Sequence, residues 1–109
     1  MKEIRAYIQP FMLSTLTQTL LDIPHFPGMR VSDCDGYLGC EKVITEHDFT
    51  LFVTKKRIEI FAQDELVDSI VNAIMSNANT HQQGVDDVYI INVDESWHIS
   101  SGERGNNLA

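Results

Sequence analysis

A chain of 109 residues, 43% hydrophobic and 22% charged, has room for one domain with one core and is too apolar for disorder. Its net charge of −8, with no run of Lys or Arg able to neutralise a track of phosphates, speaks against a nucleic-acid partner. The charged start Met1-Lys2-Glu3-Ile4 is unlike a signal peptide and no apolar run nears the ~20 residues that cross a bilayer; the expectation is a cytoplasmic protein without membrane insertion, its two cysteines, Cys34 and Cys40, free thiols or ligands.

Residues 2–9 alternate, with Ile4, Ala6 and Ile8 on one side and Glu3, Arg5, Tyr7 and Gln9 on the other, which predicts a half-buried strand ended by Pro10. Leu13, Leu16, Leu20 and Leu21 then recur at helical spacing, with Ser14 as the expected cap and Pro24 and Pro27-Gly28 as the stop. A second strand is expected over residues 29–36, Gly36 marking its end, before a polar, aperiodic stretch over 37–49 that reads as a long exposed loop. Residues 51–62 are rich in β-branched and aromatic side chains and predict a strand. Asp64 opens a helix whose Leu66, Val67, Ile70, Val71 and Ile74 form an apolar stripe. Residues 77–86 read as a loop, 88–93 as the last core strand and 97–99 as an extended tail. Two β-α-β halves in a chain of this size imply an α+β, ferredoxin-like βαββαβ sandwich: an antiparallel sheet with both helices on one face. The other face needs cover, which trimerisation supplies.

The residues that invite chemistry gather in the middle of the chain: Asp33, Cys34, Asp35, Cys40, Glu41, Glu46, His47 and Asp48. Thiolate, imidazole and carboxylate suit transition metals, Cys and His favouring copper or zinc, although five residues between Cys34 and Cys40 match no known zinc motif. In a trimer, His81 or His98 of a neighbouring subunit could complete such a set. The plainer reading makes Cys34 a small strand residue, Asp33 and Asp35 solvent-facing, His25 a turn residue and Trp97 a packing residue at the core edge or a subunit boundary. For His98 the structural and ligand roles both stay open. No nucleophile elbow, base-paired Ser or Cys, or helical pair of metal-binding histidines is present, so the expected protein is not an enzyme.

Pro10-Phe11 after an alternating strand, Gly28-Met29, Gly36-Tyr37, Lys55-Lys56-Arg57-Ile58-Glu59-Ile60 and Gly102-Glu103-Arg104-Gly105 stand in one collinear order. In that order the chain resembles the PII signalling family over nearly its whole length. The resemblance implies one PII-like domain over 1–109, with a T-loop at 37–50, a B-loop at 79–86 and a C-terminal loop and tail at 98–109. It also implies a homotrimer that binds an effector in clefts between subunits and controls a partner, here a membrane transport protein, through its T-loop. By that match Gly36, Tyr37, Lys55, Glu59, Gly84 and His98 line the cleft.

Departures from the family pattern bear on the ligand. The family's B-loop ends in Gly-x-Gly-Lys, a nest of backbone donors with one cation, whereas here Asp86 and Asp87 follow Gly84 in place of the second glycine and the lysine. The family's two C-terminal arginines become His98 and Ser100, and Cys40 stands where a glutamine helps hold Mg-nucleotide and 2-oxoglutarate. Each charge-assisted hydrogen bond to an anion is worth roughly 1.5–3 kcal/mol, so these changes argue against Mg-ATP and 2-oxoglutarate. The shortened T-loop has no tyrosine after Tyr37 and hence no uridylylation site. Two alternatives are carried forward: a copper or zinc sensor or buffer using Cys34, Cys40, His47 or His81, and a sensor of ADP or AMP.

Overall fold

In a computed structural model, which describes residues 1–37, 52–78 and 87–105, the predicted order of elements is present. It comprises β1 (Lys2–Ile8), a 3-10 turn (Pro10–Met12), α1 (Leu13–Leu21), β2 (Arg30–Tyr37), β3 (Phe52–Ala62), α2 (Asp64–Ala78), β4 (Val88–Asn92), β5 (Trp97–His98) and β6 (Glu103–Arg104). The first four strands form one sheet in the order β2-β3-β1-β4. Every pairing in it is antiparallel. This is the ferredoxin-like arrangement, with α1 and α2 packed together against the two central strands.

Alternation in β1 decides which face is covered. Ile4, Ala6 and Ile8 are buried, and so are Ile58, Ile60 and Ala62 on β3, which meet Leu16 and Leu20 of α1 and Ile70, Ala73 and Ile74 of α2 in one core. Cross-strand register fits this, because Ile4 lies opposite both Ile60 and Ile90 and Ala6 opposite both Ile58 and Val88. Burying each large aliphatic side chain stabilises the fold by about 1.5–3 kcal/mol. The intervening residues, Glu3, Arg5, Tyr7, Lys55, Arg57, Glu59 and Phe61, fall on the sheet face that carries no helix.

Four boundaries differ from the expected ones. Ser14 is not the cap: helical winding starts at Pro10, whose ring presets φ, Met12 donates its N–H to the Gln9 carbonyl at 3.0 Å, and no side chain caps α1. Strand β2 continues through Gly36 to Tyr37, since backbone pairing with Val53 and Phe52 tolerates a glycine. Helix α2 runs through Asn77 to Ala78, its polar end wound in by the Ser76 hydroxyl and Asn77 amide donating to the Asn72 and Ala73 carbonyls at 2.8 and 2.9 Å. The tail is not simply extended, because β5 turns back and pairs with β6. Among the described residues no helix is long and apolar enough to cross a membrane.

Candidate functional site

The helix-free face is a grid of polar side chains set by strand register. Arg30 of β2, Glu59 of β3, Arg5 of β1 and Tyr89 of β4 stand opposite one another in one row. Ser32, Arg57 and Tyr7 form the adjoining row. The Arg5 guanidinium donates to the Glu3 carboxylate at 2.9 Å and lies 3.8 Å from Glu59. That hydrogen bond to Glu3, reinforced by the neighbouring negative charges, holds the Arg5 guanidinium above its ordinary pKa. Tyr7 meets Tyr89 edge to face at 6.4 Å. Ser32 Oγ and Arg57 Nε are buried and have no hydrogen-bond partner among the described residues.

Lys55, which the resemblance places at the base of the cleft, is almost fully buried, with 2% exposure, and lies opposite Cys34 in register. Cys34 itself is half-buried and free. Its neighbours point to the opposite face of the strand. There Asp33 pairs with Lys56 at 2.5 Å and Asp35 accepts from the Thr54 hydroxyl at 2.7 Å. The pleat therefore separates the thiol from both carboxylates. Among the described residues no group of three or more His, Cys, Asp or Glu gathers as a metal would require. Cys40, Glu41, Glu46, His47, Asp48, His81, Gly84 and Asp86, on which the rest of the metal set and the B-loop comparison depend, lie outside the described residues, and Tyr37 is described only as backbone.

At its C-terminal end the chain builds a small polar hairpin. Gly102, at φ +73°, makes the turn and donates its N–H to the His98 carbonyl at 2.7 Å. The hydroxyls of Ser100 and Ser101 sit 3.0 and 3.4 Å from His98 Nδ1. Gly105 N–H donates to the Ser96 carbonyl at 2.7 Å, and the Ser96 hydroxyl returns a bond to the Gly105 carbonyl at 3.1 Å. Arg104 stacks over Trp97, 5.2 Å from the ring centroid, and pairs with Glu95 at 3.3 Å.

Between this hairpin and the helix-free face runs a groove of about 870 Å³, lined among others by Gly28, Arg30, Glu59, Phe61, Trp97 and His98. Of the cleft residues expected by resemblance, Glu59 and His98 line the groove, whereas Gly36 and Lys55 do not. Arg30 and Phe61 were missed as site residues. Both sit at strand positions that look like ordinary alternation, and only the β2–β3 register sets the Arg30 guanidinium 5.5 Å from the Phe61 ring centroid.

The profile of the family described as Nitrogen regulatory protein P-II matches residues 1–103. The Nitrogen regulatory protein P-II of Haemophilus influenzae is 32% identical over 109 residues, covering 95% of this chain and 96% of the relative. The protein of the same name from Pasteurella multocida is 33% identical with the same coverage. That from Rhizobium etli is 34% identical over 108 residues, 94% of this chain and 95% of the relative. A match over the whole βαββαβ unit and into the C-terminal hairpin, at this level of identity, goes beyond likeness of fold: the chain belongs to the nitrogen regulatory protein P-II family.

Proposed function

We propose that this P-II signalling protein acts in the cytoplasm as a homotrimer, binds a small effector in a cleft completed between subunits, and controls a membrane transport protein through residues 37–50. The observation that carries this reading is the helix-free sheet face. It presents a half-exposed Tyr89 and leaves Ser32 Oγ and Arg57 Nε buried without a partner among the described residues, in a family member matched over residues 1–103. A half-exposed tyrosine on a sheet face without helices suits a subunit contact, because an aromatic ring with a polar edge is favoured at interfaces. Regulation rather than catalysis follows from the family.

Light scattering on the purified full chain tests assembly, with a mass three times the 12.4 kDa of one chain expected. A membrane pull-down comparing the full chain with a variant lacking residues 38–50 tests the partner: loss of a transport protein with the deletion supports the reading, and equal capture by both removes the role of the loop.

A second effector reading is ADP or AMP, since His98 and Ser100 stand where, by resemblance, the family carries two arginines. A thermal-shift panel of ATP, ADP, AMP and cyclic AMP decides it. A ligand at a hundred times its Kd adds about 2.7 kcal/mol to native stability. If all four leave the melting temperature unchanged, nucleotide sensing falls. The copper or zinc reading is tested by elemental analysis of protein purified under reducing conditions, with Cys40→Ser and His47→Ala expected to abolish any stoichiometric metal.

A further inference from the structure

The C-terminal hairpin sets two serine hydroxyls on one imidazole nitrogen. Ser100 Oγ lies 3.0 Å and Ser101 Oγ 3.4 Å from His98 Nδ1. With the ring proton on Nε2, both hydroxyls donate to Nδ1, and a nitrogen that receives an O–H is placed to take its proton. The two serines differ in their other contacts. Ser101 Oγ accepts the Glu103 N–H at 3.2 Å and is tied by it, whereas Ser100 is nearer the base and lines the groove beside His98. All three residues are exposed, so a small molecule reaches them. Sequence alone does not show the pairing, because Ser100 follows His98 by two positions in a segment without periodicity. The turn at Gly102, whose N–H closes on the His98 carbonyl at 2.7 Å, folds the hydroxyls back onto the ring.

We propose that Ser100 is a covalent modification site, acylated by a small activated acyl donor, an acyl phosphate or an acyl thioester, with His98 as the general base. It is a stoichiometric step rather than turnover, and it does not depend on the effector reading above. Ser100 Oγ bonds to the acyl carbonyl carbon as its proton passes to His98 Nδ1. The tetrahedral intermediate then collapses, and the bond from that carbon to the phosphate oxygen or thioester sulfur breaks. The leaving group takes the bonding electron pair and the proton from Nδ1, so nothing is oxidised or reduced. Because Nδ1 has one lone pair, once it holds the Ser100 proton the Ser101 hydroxyl is released to donate to the oxyanion. Acyl rather than phosphoryl transfer suits the charges of the hairpin. Phosphoryl transfer relies on cations around the equatorial oxygens, and Arg104, the one Lys or Arg of residues 96–105, is engaged by Glu95 and Trp97.

Acetyl phosphate and the acetyl thioester of N-acetylcysteamine are the probes, one for each source of the acyl group. Each is incubated with the full-length protein, and addition is followed by intact mass and located by peptide mass spectrometry. The expected result is an acetyl group on Ser100 from at least one probe, the faster probe naming the source. His98→Gln lowers the rate at Ser100 by about a hundredfold, the lower end of what a positioned base contributes. Ser101→Ala lowers it by a smaller factor. The wild-type rate falls as acid protonates His98, since imidazolium has no lone pair to offer, and His98→Gln lacks this fall. Melting curves that match wild type show that the variants are folded. Acetyl groups on lysines alone, equal rates in wild type and His98→Gln, or no addition from either probe overturns the proposal.

Discussion

His25 is held at φ +63°, a left-handed conformation that crowds its Cβ against the following carbonyl and costs an L-residue roughly 1–2 kcal/mol. Glycine adopts it freely but gives up about 0.5–1 kcal/mol through the greater freedom of the unfolded chain. His25→Gly is therefore expected to stabilise the protein by about 0.5–1 kcal/mol in chemical denaturation; a loss of stability would mean that the imidazole makes a compensating contact in the assembled protein. Gly102 is the reverse case, a glycine at φ +73° with open space around the position of a Cβ. Gly102→Ala strains the backbone without a clash at its Cβ, so the expected cost is about 1–2 kcal/mol, read as a shifted denaturation midpoint. In the core, Ile58 is fully buried and lies between the Ala6 and Val31 positions of its neighbouring strands. Ile58→Ala should lose about 2–5 kcal/mol by transfer and cavity terms together, and a loss below 1 kcal/mol would show that the site collapses around the smaller side chain. On the open face, a base whose pKa is raised by its native partner contributes stability that is complete below its ordinary range and fades only as pH climbs through the raised value. For Arg5 that window lies in strong alkali. Its protonation thus adds no pH dependence near neutrality.

Among the elements, the β5–β6 hairpin is the one that the sequence reading most understated. Its strands are two residues each, too short for alternation to register, and Ser100, Ser101 and Gly102 read as an irregular tail until Gly102 is seen to turn the chain. The hairpin is held by the Ser96–Gly105 bonds and by the stack of Arg104 on Trp97. Arg104→Ala is expected to leave the global melting temperature within about 2 °C, because an exposed pair contributes little, while changing Trp97 emission. A large loss of stability instead would show that the hairpin is docked on a neighbour. The long elements were legible for the opposite reason. Strands β1 and β3 and helix α2 each bury one face, so their periodicity is written into many residues, from Ile4, Ala6 and Ile8 to Ile70 and Ile74. Their ends were less legible. Pro10 begins a turn ahead of α1, Gly36 stays within β2, and the polar Ser76 and Asn77 continue α2 through hydrogen bonds to their own helix.

For the whole molecule, the helix-free sheet face is the surface on which the proposed trimer closes. Among the described residues, Ser32 Oγ and Arg57 Nε on this face lose water without gaining a bond. Tyr89, 48% exposed on the edge strand β4 and edge to face with Tyr7, belongs to the same face. Tyr89→Glu should convert the proposed trimer to monomer in sedimentation velocity while leaving helix content unchanged; a trimer that persists would move the interface to another surface. The sequence by itself determined the elements and the packing side of each, because alternation and helical stripes are local records of burial, and its collinear short segments determined the family. Tertiary structure decided what stands beside what. Register across β2 and β3 puts Arg30 over Phe61, the pleat turns Cys34 away from Asp33 and Asp35, and the returning hairpin brings Trp97 and His98 to the groove. Those neighbours lie tens of residues apart along the chain, and no local pattern encodes a distance that only strand pairing creates.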